Sequence, residues 1–118
     1  TIADKDKNDA LPLIRRFYDL GSNIEATPGT AAYLKDHNIR SRSKRKISTG
    51  SEEILDTLRS GHVTYVLNTL GDADASGDDG FRIRRVATEN GITVFTSLDT
   101  VKVLLDVLED ITPGIAAI

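Results

Sequence analysis

Lys7, the run Thr27-Pro28-Gly29-Thr30 and the pair Asn68-Thr69 carry the side chains of this sequence best suited to chemistry with a ligand. They are cationic, hydroxyl and amide types with no paired carboxylates among them. Such groups hold an anion rather than shuttle protons. Thr27 to Thr30 is a small-residue turn with a proline placed to open a helix. The first N–H groups of a helix lack intrahelical partners, and together with the helix dipole they favour a phosphate or a carboxylate. Each group also has a plain structural reading. Thr27 and Thr30 can be capping residues, Lys7 a solvated surface lysine, and Asn68 a turn former. The anion reading gains weight only where the fold gathers all of them on one edge.

Other chemistries are thinly represented. There is no cysteine, so neither a disulfide framework nor a thiolate zinc site can form. His37 and His62 have no nucleophile or carboxylate at a telling offset, so no catalytic triad can be assembled. The acidic loop with Asp72, Asp74, Asp78 and Asp79 lacks the spacing and the terminal Glu of a calcium loop, so no metal site is expected. The basic run Arg40, Arg42, Lys44, Arg45, Lys46 sits in a chain of net charge -3 with 5% aromatic residues. It reads as a solvated edge rather than a nucleic-acid surface, and no nucleic-acid partner is expected.

The elements that must position these residues follow from the pattern of apolar positions. Thr1-Ile2-Ala3 reads as the end of a strand. Asn8 or Asp9 can cap a helix carrying Leu11, Ile14, Phe17 and Tyr18 on one face and closed by Gly21. Asn23 to Thr27 is a second strand, and Pro28-Gly29 opens a helix toward Asn38. Ile39 to Ile47 is mostly charged and suits at best a short edge strand. Ser51 caps a helix with Ile54, Leu55 and Leu58 inward, stopped by Gly61. Val63 to Leu67 is the clearest strand, β-branched and aromatic. Gly71 to Gly80 is a loop, Phe81 to Asn90 a helix, and Ile92 to Phe95 the last strand. Val101, Leu104, Leu105 and Leu108 repeat at helical spacing. The apolar tail from Pro113-Gly114 onward has no role legible in sequence.

Strands alternating with helices mean βαβ units. The expected fold class is therefore α/β, a single doubly wound domain over residues 1–118 with a mostly parallel sheet of about five strands. The length of 118 residues suits one domain, and no stretch approaches the ~20 apolar residues of a membrane helix, so no membrane partner is expected. Because Thr1-Ile2-Ala3 starts as a strand already under way, the chain is expected to be a segment of a longer protein. Ligands of such sheets bind beyond the carboxyl ends of the strands. That rule places Lys7, Thr27 to Thr30 and Asn68-Thr69 on one edge.

Ala26-Thr27-Pro28-Gly29-Thr30-Ala31, the strand end Leu67-Asn68-Thr69, and Gly80-Phe81-Arg82-Ile83-Arg84-Arg85 before a helix resemble the methylglyoxal-synthase-like domain. The resemblance runs from Asp4-Lys5-Asp6-Lys7 to Thr96-Ser97-Leu98. It is strongest to the version at the C-terminus of the carbamoyl-phosphate synthetase large subunit. The resemblance implies a regulatory, non-catalytic domain in which UMP or IMP alters distant synthetase domains of an ATP-dependent ligase serving pyrimidine and arginine biosynthesis. By motif it implies that Lys7, Thr27, Thr30, Lys46, Asn68 and Thr69 hold the nucleotide phosphate. Thr96 matches a threonine that contacts ornithine in some members. No cofactor is implied in this domain, since ATP and divalent metal belong to the other domains of the parent chain. The implied partners are those synthetase domains and a small glutaminase subunit, and the implied location is the cytoplasm.

The sequence departs from the pattern in three places. Ile47-Ser48-Thr49-Gly50-Ser51-Glu52 replaces the family's usual Val and Glu-Gly-Arg-Pro stretch. Leu70 replaces a small or hydroxyl residue, and Asp72-Ala73-Asp74 puts acids where a Gly-Arg-Arg segment is usual. Negative charge beside a phosphate is unfavourable unless paired. Two alternatives stay open. The first is a lyase of the methylglyoxal synthase type acting on dihydroxyacetone phosphate. Against it, Ser51 and Leu70-Gly71 stand where that enzyme has catalytic acids, and Asp4-Lys5 replaces its His-Asp pair. Glu52 or Asp72 would have to serve instead. The second alternative is an interaction module with a non-binding pocket.

Overall fold

The computed structural model of the chain describes residues 1–45, 51–69 and 78–111. A single 3-10 turn, Asp4–Asp6, leads into α1 (Lys7–Asp19), followed by β1 (Glu25–Ala26), α2 (Pro28–Asp36) and β2 (Arg42–Ser43). Then come α3 (Glu53–Arg59), β3 (Tyr65–Leu67), α4 (Asp78–Glu89), β4 (Thr93–Phe95) and α5 (Leu98–Ile111). β1 pairs with β2 and β3 with β4, both in parallel. The fold is doubly wound α/β.

The first expected strand forms no regular ladder, yet it joins the two half-sheets. The Thr1 nitrogen donates to the Leu67 carbonyl at 2.9 Å, and the Thr69 N–H returns to the Thr1 carbonyl at 3.2 Å. Those bonds lay the segment alongside β3 in a parallel sense. On its other side, Ile2 is buried in one cluster with Ala26 of β1, Leu34 of α2 and Ile39.

Alternation along the strands assigns the two faces. Val66 and Val94 pack with Leu55 and Leu58 of α3 and with Ile83, Val86 and Ala87 of α4. Tyr65, Leu67 and Phe95 point the other way, onto Leu13 and Phe17 of α1 and Val101 and Leu105 of α5. Phe17, Tyr65 and Phe95 form a chain of tilted rings with centroids 6.2 and 6.1 Å apart, a favourable aromatic geometry. On the outer side of the α1–α5 contact, Arg16 donates to Glu109 at 2.5 and 3.1 Å and to Asp106 at 2.7 Å.

Helix endings follow the sequence, with one surprise. After α1, Gly21 takes φ +89°, and the Ser22 N–H bonds the Phe17 carbonyl at 3.1 Å. This left-handed closure suits glycine. After α2 the same closure is made by Asn38, at φ +64°, with the Ile39 N–H on the Leu34 carbonyl at 2.9 Å. Several expected boundaries need correction. α1 begins at Lys7 with Asp6, rather than Asn8 or Asp9, at its cap, and α3 begins at Glu53 with Glu52, rather than Ser51, at its cap. The expected strands 23–27, 39–47 and 92–95 shorten to Glu25–Ala26, Arg42–Ser43 and Thr93–Phe95, because only those residues pair. α4 begins at Asp78 rather than Phe81, because a glycine such as Gly80 is tolerated in a first helical turn. The clearest strand shrinks to Tyr65–Leu67, since Val63 and Thr64 precede the ladder with β4. Lys46 to Gly50, Leu70 to Gly77 and Thr112 to Ile118 lie outside the described residues. The acidic 72–74 departure and the apolar tail therefore receive no structural account.

Leu105 is fully buried between the sheet and α1. Leu105→Ala should lower unfolding stability by roughly 2–5 kcal/mol, whereas Val107→Ala on the exposed side of the same helix should stay within about 0.5 kcal/mol. Urea unfolding checks both. The hydrogen bonds from Arg16 hold the Glu109 carboxyl below its ordinary value of 4.5. A depressed carboxylate contributes stability above that value and loses it as the pH falls through the folded one. The stability difference between the native chain and Arg16→Ala should therefore shrink in acid, read from unfolding midpoints across the pH range below 4.5.

Candidate functional site

The α2 turn is built to leave donors open. Thr27 is extended, at φ −65° and ψ 157°, and its carbonyl accepts the first helical bond, from the Ala31 N–H at 2.8 Å. Its hydroxyl makes no capping bond. Pro28, at the first helical position, has no N–H to satisfy. The amides of Gly29 and Thr30 are then the orphan donors of this helix end. Thr27 and Thr30 are both buried, while Pro28 and Gly29 between them are exposed, so the turn is anchored at both ends and open to solvent at its middle.

Lys7 reaches this turn from the start of α1. Its Nζ lies 3.8 Å from where a Cβ on Gly29 would stand. The side chain is 16% exposed, and its ammonium is paired with the Asp4 carboxylate, which is itself 95% exposed. A largely enclosed cation thus lies beside Gly29 at the start of α2, paired with an exposed acid. The lone surface lysine of the plain reading is not what the fold provides.

Asn68 and Thr69 complete the edge just past the end of β3. The Thr69 hydroxyl accepts the Ala3 N–H at 2.8 Å and keeps its own proton free to donate. The Asn68 N–H bonds the Phe95 carbonyl at 2.9 Å. Asn68 is 3% exposed, and its Nδ2 has no hydrogen-bond partner among the described residues. A buried unpaired donor costs about 1–3 kcal/mol, and native structures keep few of them. An amide with two protons at the carboxyl end of a strand is a donor available to a ligand's acceptor.

Thr96 stands apart from these groups. It lines an open concavity of about 400 Å³ with Thr69, Ser97, Lys5, Asp6 and Asp99. Thr69 belongs both to this concavity and to the edge at the end of β3. Lys46 lies outside the described residues. Its neighbours in the basic run behave as a solvated edge: Arg42 is exposed, Lys44 pairs with Glu25 at 3.8 Å and Arg45 with Glu53 at 2.6 Å.

At the opening of α3 the hydroxyl of Ser51 accepts the Glu53 N–H at 3.2 Å. Glu52 faces Arg82 at 3.3 Å and Arg59 at 3.7 Å. Its oxygens are engaged in an ion-pair cluster rather than offered to a substrate. Sequence reasoning missed the Asp4 contact, although the i, i+3 spacing of Asp4 and Lys7 was a readable signal.

Compared with known protein families, residues 9–96 match the MGS-like domain. The chain belongs to the MGS-like domain family. The match agrees with the methylglyoxal-synthase-like resemblance and with the α/β architecture. It covers Thr27, Thr30, Asn68, Thr69 and Thr96 but begins after Lys7. The place of Lys7 in the site of this MGS-like domain therefore rests on its contact with the α2 turn.

Because the Thr27 hydroxyl makes no cap, Thr27→Val should change stability by less than about 0.5 kcal/mol, well under the ~1 kcal/mol of a working Thr cap. It should nevertheless weaken binding of inorganic phosphate. Denaturant unfolding read beside phosphate titration separates the two effects.

Proposed function

We propose that this MGS-like domain is an allosteric effector-binding module that takes a nucleoside monophosphate, UMP or IMP, by its phosphate. On this reading it regulates a carbamoyl-phosphate synthetase large chain in the cytoplasm. The unpartnered Asn68 amide, on the edge that also carries Lys7 and the open N–H groups of α2, is the observation that supports it most directly. Lys7 supplies the charge, Gly29 and Thr30 donate backbone N–H groups, and the hydroxyls of Thr27, Thr30 and Thr69 donate around the phosphate oxygens. Asn68 donates from the end of β3. Lys46 is assigned to the same phosphate by family resemblance, and Thr96 to a second effector such as ornithine.

Regulation would follow from linkage. The nucleotide must bind one state of the larger enzyme better than another, and that difference shifts synthetase activity. The synthetase domains of the same chain and the glutaminase subunit are the partners this reading requires, with ATP and metal confined to them. Holding a dianion with N–H and O–H donors, without a free carboxylate among those donors, favours binding over acid–base turnover.

Titration calorimetry with UMP and IMP tests the proposal. Heat of binding and thermal stabilisation are expected. Lys7→Ala should weaken binding by roughly 10- to 100-fold, the scale of one charge-assisted hydrogen bond, and Lys46→Ala should weaken it as well. Absence of both heat and stabilisation at millimolar nucleotide rejects the reading. Release of methylglyoxal from dihydroxyacetone phosphate would replace it with the lyase.

A further inference from the structure

The outer side of α5 carries an apolar row that no described element covers. Val103, Val107 and Ile111 follow one another at four-residue spacing and are 63, 52 and 70% exposed. Val101 and Leu105 of the same helix point the other way and fill the core against α1. The fold therefore takes its apolar contact from a different face of α5. Exposed helix positions favour straight-chain residues, and β-branched valine and isoleucine are poorer helix formers than alanine or lysine. Three of them in one solvent-facing row stand at the spacing by which a helix presents anchors to a partner.

The charges around the row define what fits it. Asp99 continues the row one turn before Val103, and Asp106 and Asp110 flank it at i+3 from Val103 and Val107. All three acids are exposed. Arg16 takes up Asp106, whereas Asp99 and Asp110 make no ion pair among the described residues. The last turn of α5 has no basic residue, so Asp110 stands at the negative end of the helix dipole, where a cation is favoured. Lys102 is the last cation of the sequence, so residues 112–118 bring none. A second copy would offer, through α5, four acids against the single Lys102. Neither complements the surface in charge, and a cationic segment does.

We propose that this face of α5 docks a basic amphipathic helix from outside residues 1–118. The apolar side of that helix covers Val103, Val107 and Ile111. Its lysines or arginines meet Asp99, Asp110 and the open carbonyls at the end of α5. The apolar row supplies affinity, and the acids set orientation and reject acidic partners. The inference does not depend on the phosphate reading.

Fluorescence anisotropy with the full chain tests it, using two synthetic helical peptides of about 18 residues, above the length at which isolated helices become stable. One is built of leucine and lysine, the other of leucine and glutamate, with the leucines on one face in both. The leucine/lysine peptide should bind at physiological salt and the leucine/glutamate peptide should not. Val103→Ser combined with Val107→Ser keeps the charge and should weaken binding by at least about tenfold, from the loss of two covered valines. Asp110→Asn should weaken it by roughly two- to fivefold, and about 1 M salt should remove most of that difference. Urea unfolding should show every variant folded.

Equal binding of the lysine peptide by native and serine chains overturns the proposal, because the attraction is then charge alone. Equal binding of the two peptides overturns it, as does binding of neither. Self-association of the native chain that the serines abolish makes a second copy the occupant. Lysine-peptide binding that appears only after removal of residues 112–118 makes the tail the occupant. Either result overturns the proposal.

Discussion

The hydrogen bonds between Thr1–Ala3 and Leu67–Thr69 are the constraint on which the arrangement of the site depends. Two short parallel ladders, β1–β2 and β3–β4, would otherwise share no strand among the described residues. The Thr1–Leu67, Thr69–Thr1 and Ala3–Thr69 bonds lock the seam to the second ladder, and burial of Ile2 with Ala26 holds it to the first. Parallel strands all end on the same side. Once the seam is in place, the ends of β1 and β3 and the start of α1 must therefore lie along one edge. Thr27, Asn68 and Lys7 share that edge for a topological reason, and Lys7 lies beside the turn after Thr27, though long stretches of chain separate them.

The seam also explains why Thr69 is both structural and available. Its hydroxyl accepts from the Ala3 backbone, so the side chain is oriented before any ligand arrives. An oriented hydroxyl with a spare proton is a better donor than a free rotor, because less rotamer entropy is lost on binding. Asn68 sits one residue away with the opposite condition, a rigid backbone and an amide without a partner. One residue spends its polar capacity on the fold and its neighbour withholds it.

Much of the fold was legible because it depends on local physics. Helix closure at Gly21, the proline-led start of α2 and the alternation along Tyr65–Leu67 are dictated within a few residues of sequence. Boundaries set by tertiary pairing were less legible. Val63 and Thr64 have strand composition, but the ladder with β4 begins only at Tyr65, because pairing depends on where the partner chain lies. Asn38 closes α2 in a left-handed conformation that composition assigns to glycine first. At the site, the residue types of the Thr27 turn announced an anion, while the burial of Asn68 without a partner could only be found in three dimensions. The enclosure of Lys7 belongs to the same class, since it depends on α2 lying beneath it.

A net charge of -3 does not conflict with an anion site, because charge acts locally here. Several of the acids are paired where they stand: Asp106 and Glu109 share Arg16, Glu53 pairs with Arg45, and Glu52 with Arg82 and Arg59. Exposed charges beyond about 8–10 Å are screened at physiological salt, so distant surface acids add little to the field at any one site. The acid nearest the cation is Asp4, which pairs with Lys7 directly. On the proposed reading, affinity for an anion comes from donors gathered along one edge, Lys7 and the orphan N–H groups of α2 among them. Local donors of that kind outweigh the overall charge of the chain, because their contacts are made at hydrogen-bond distance while the remaining charges act through solvent.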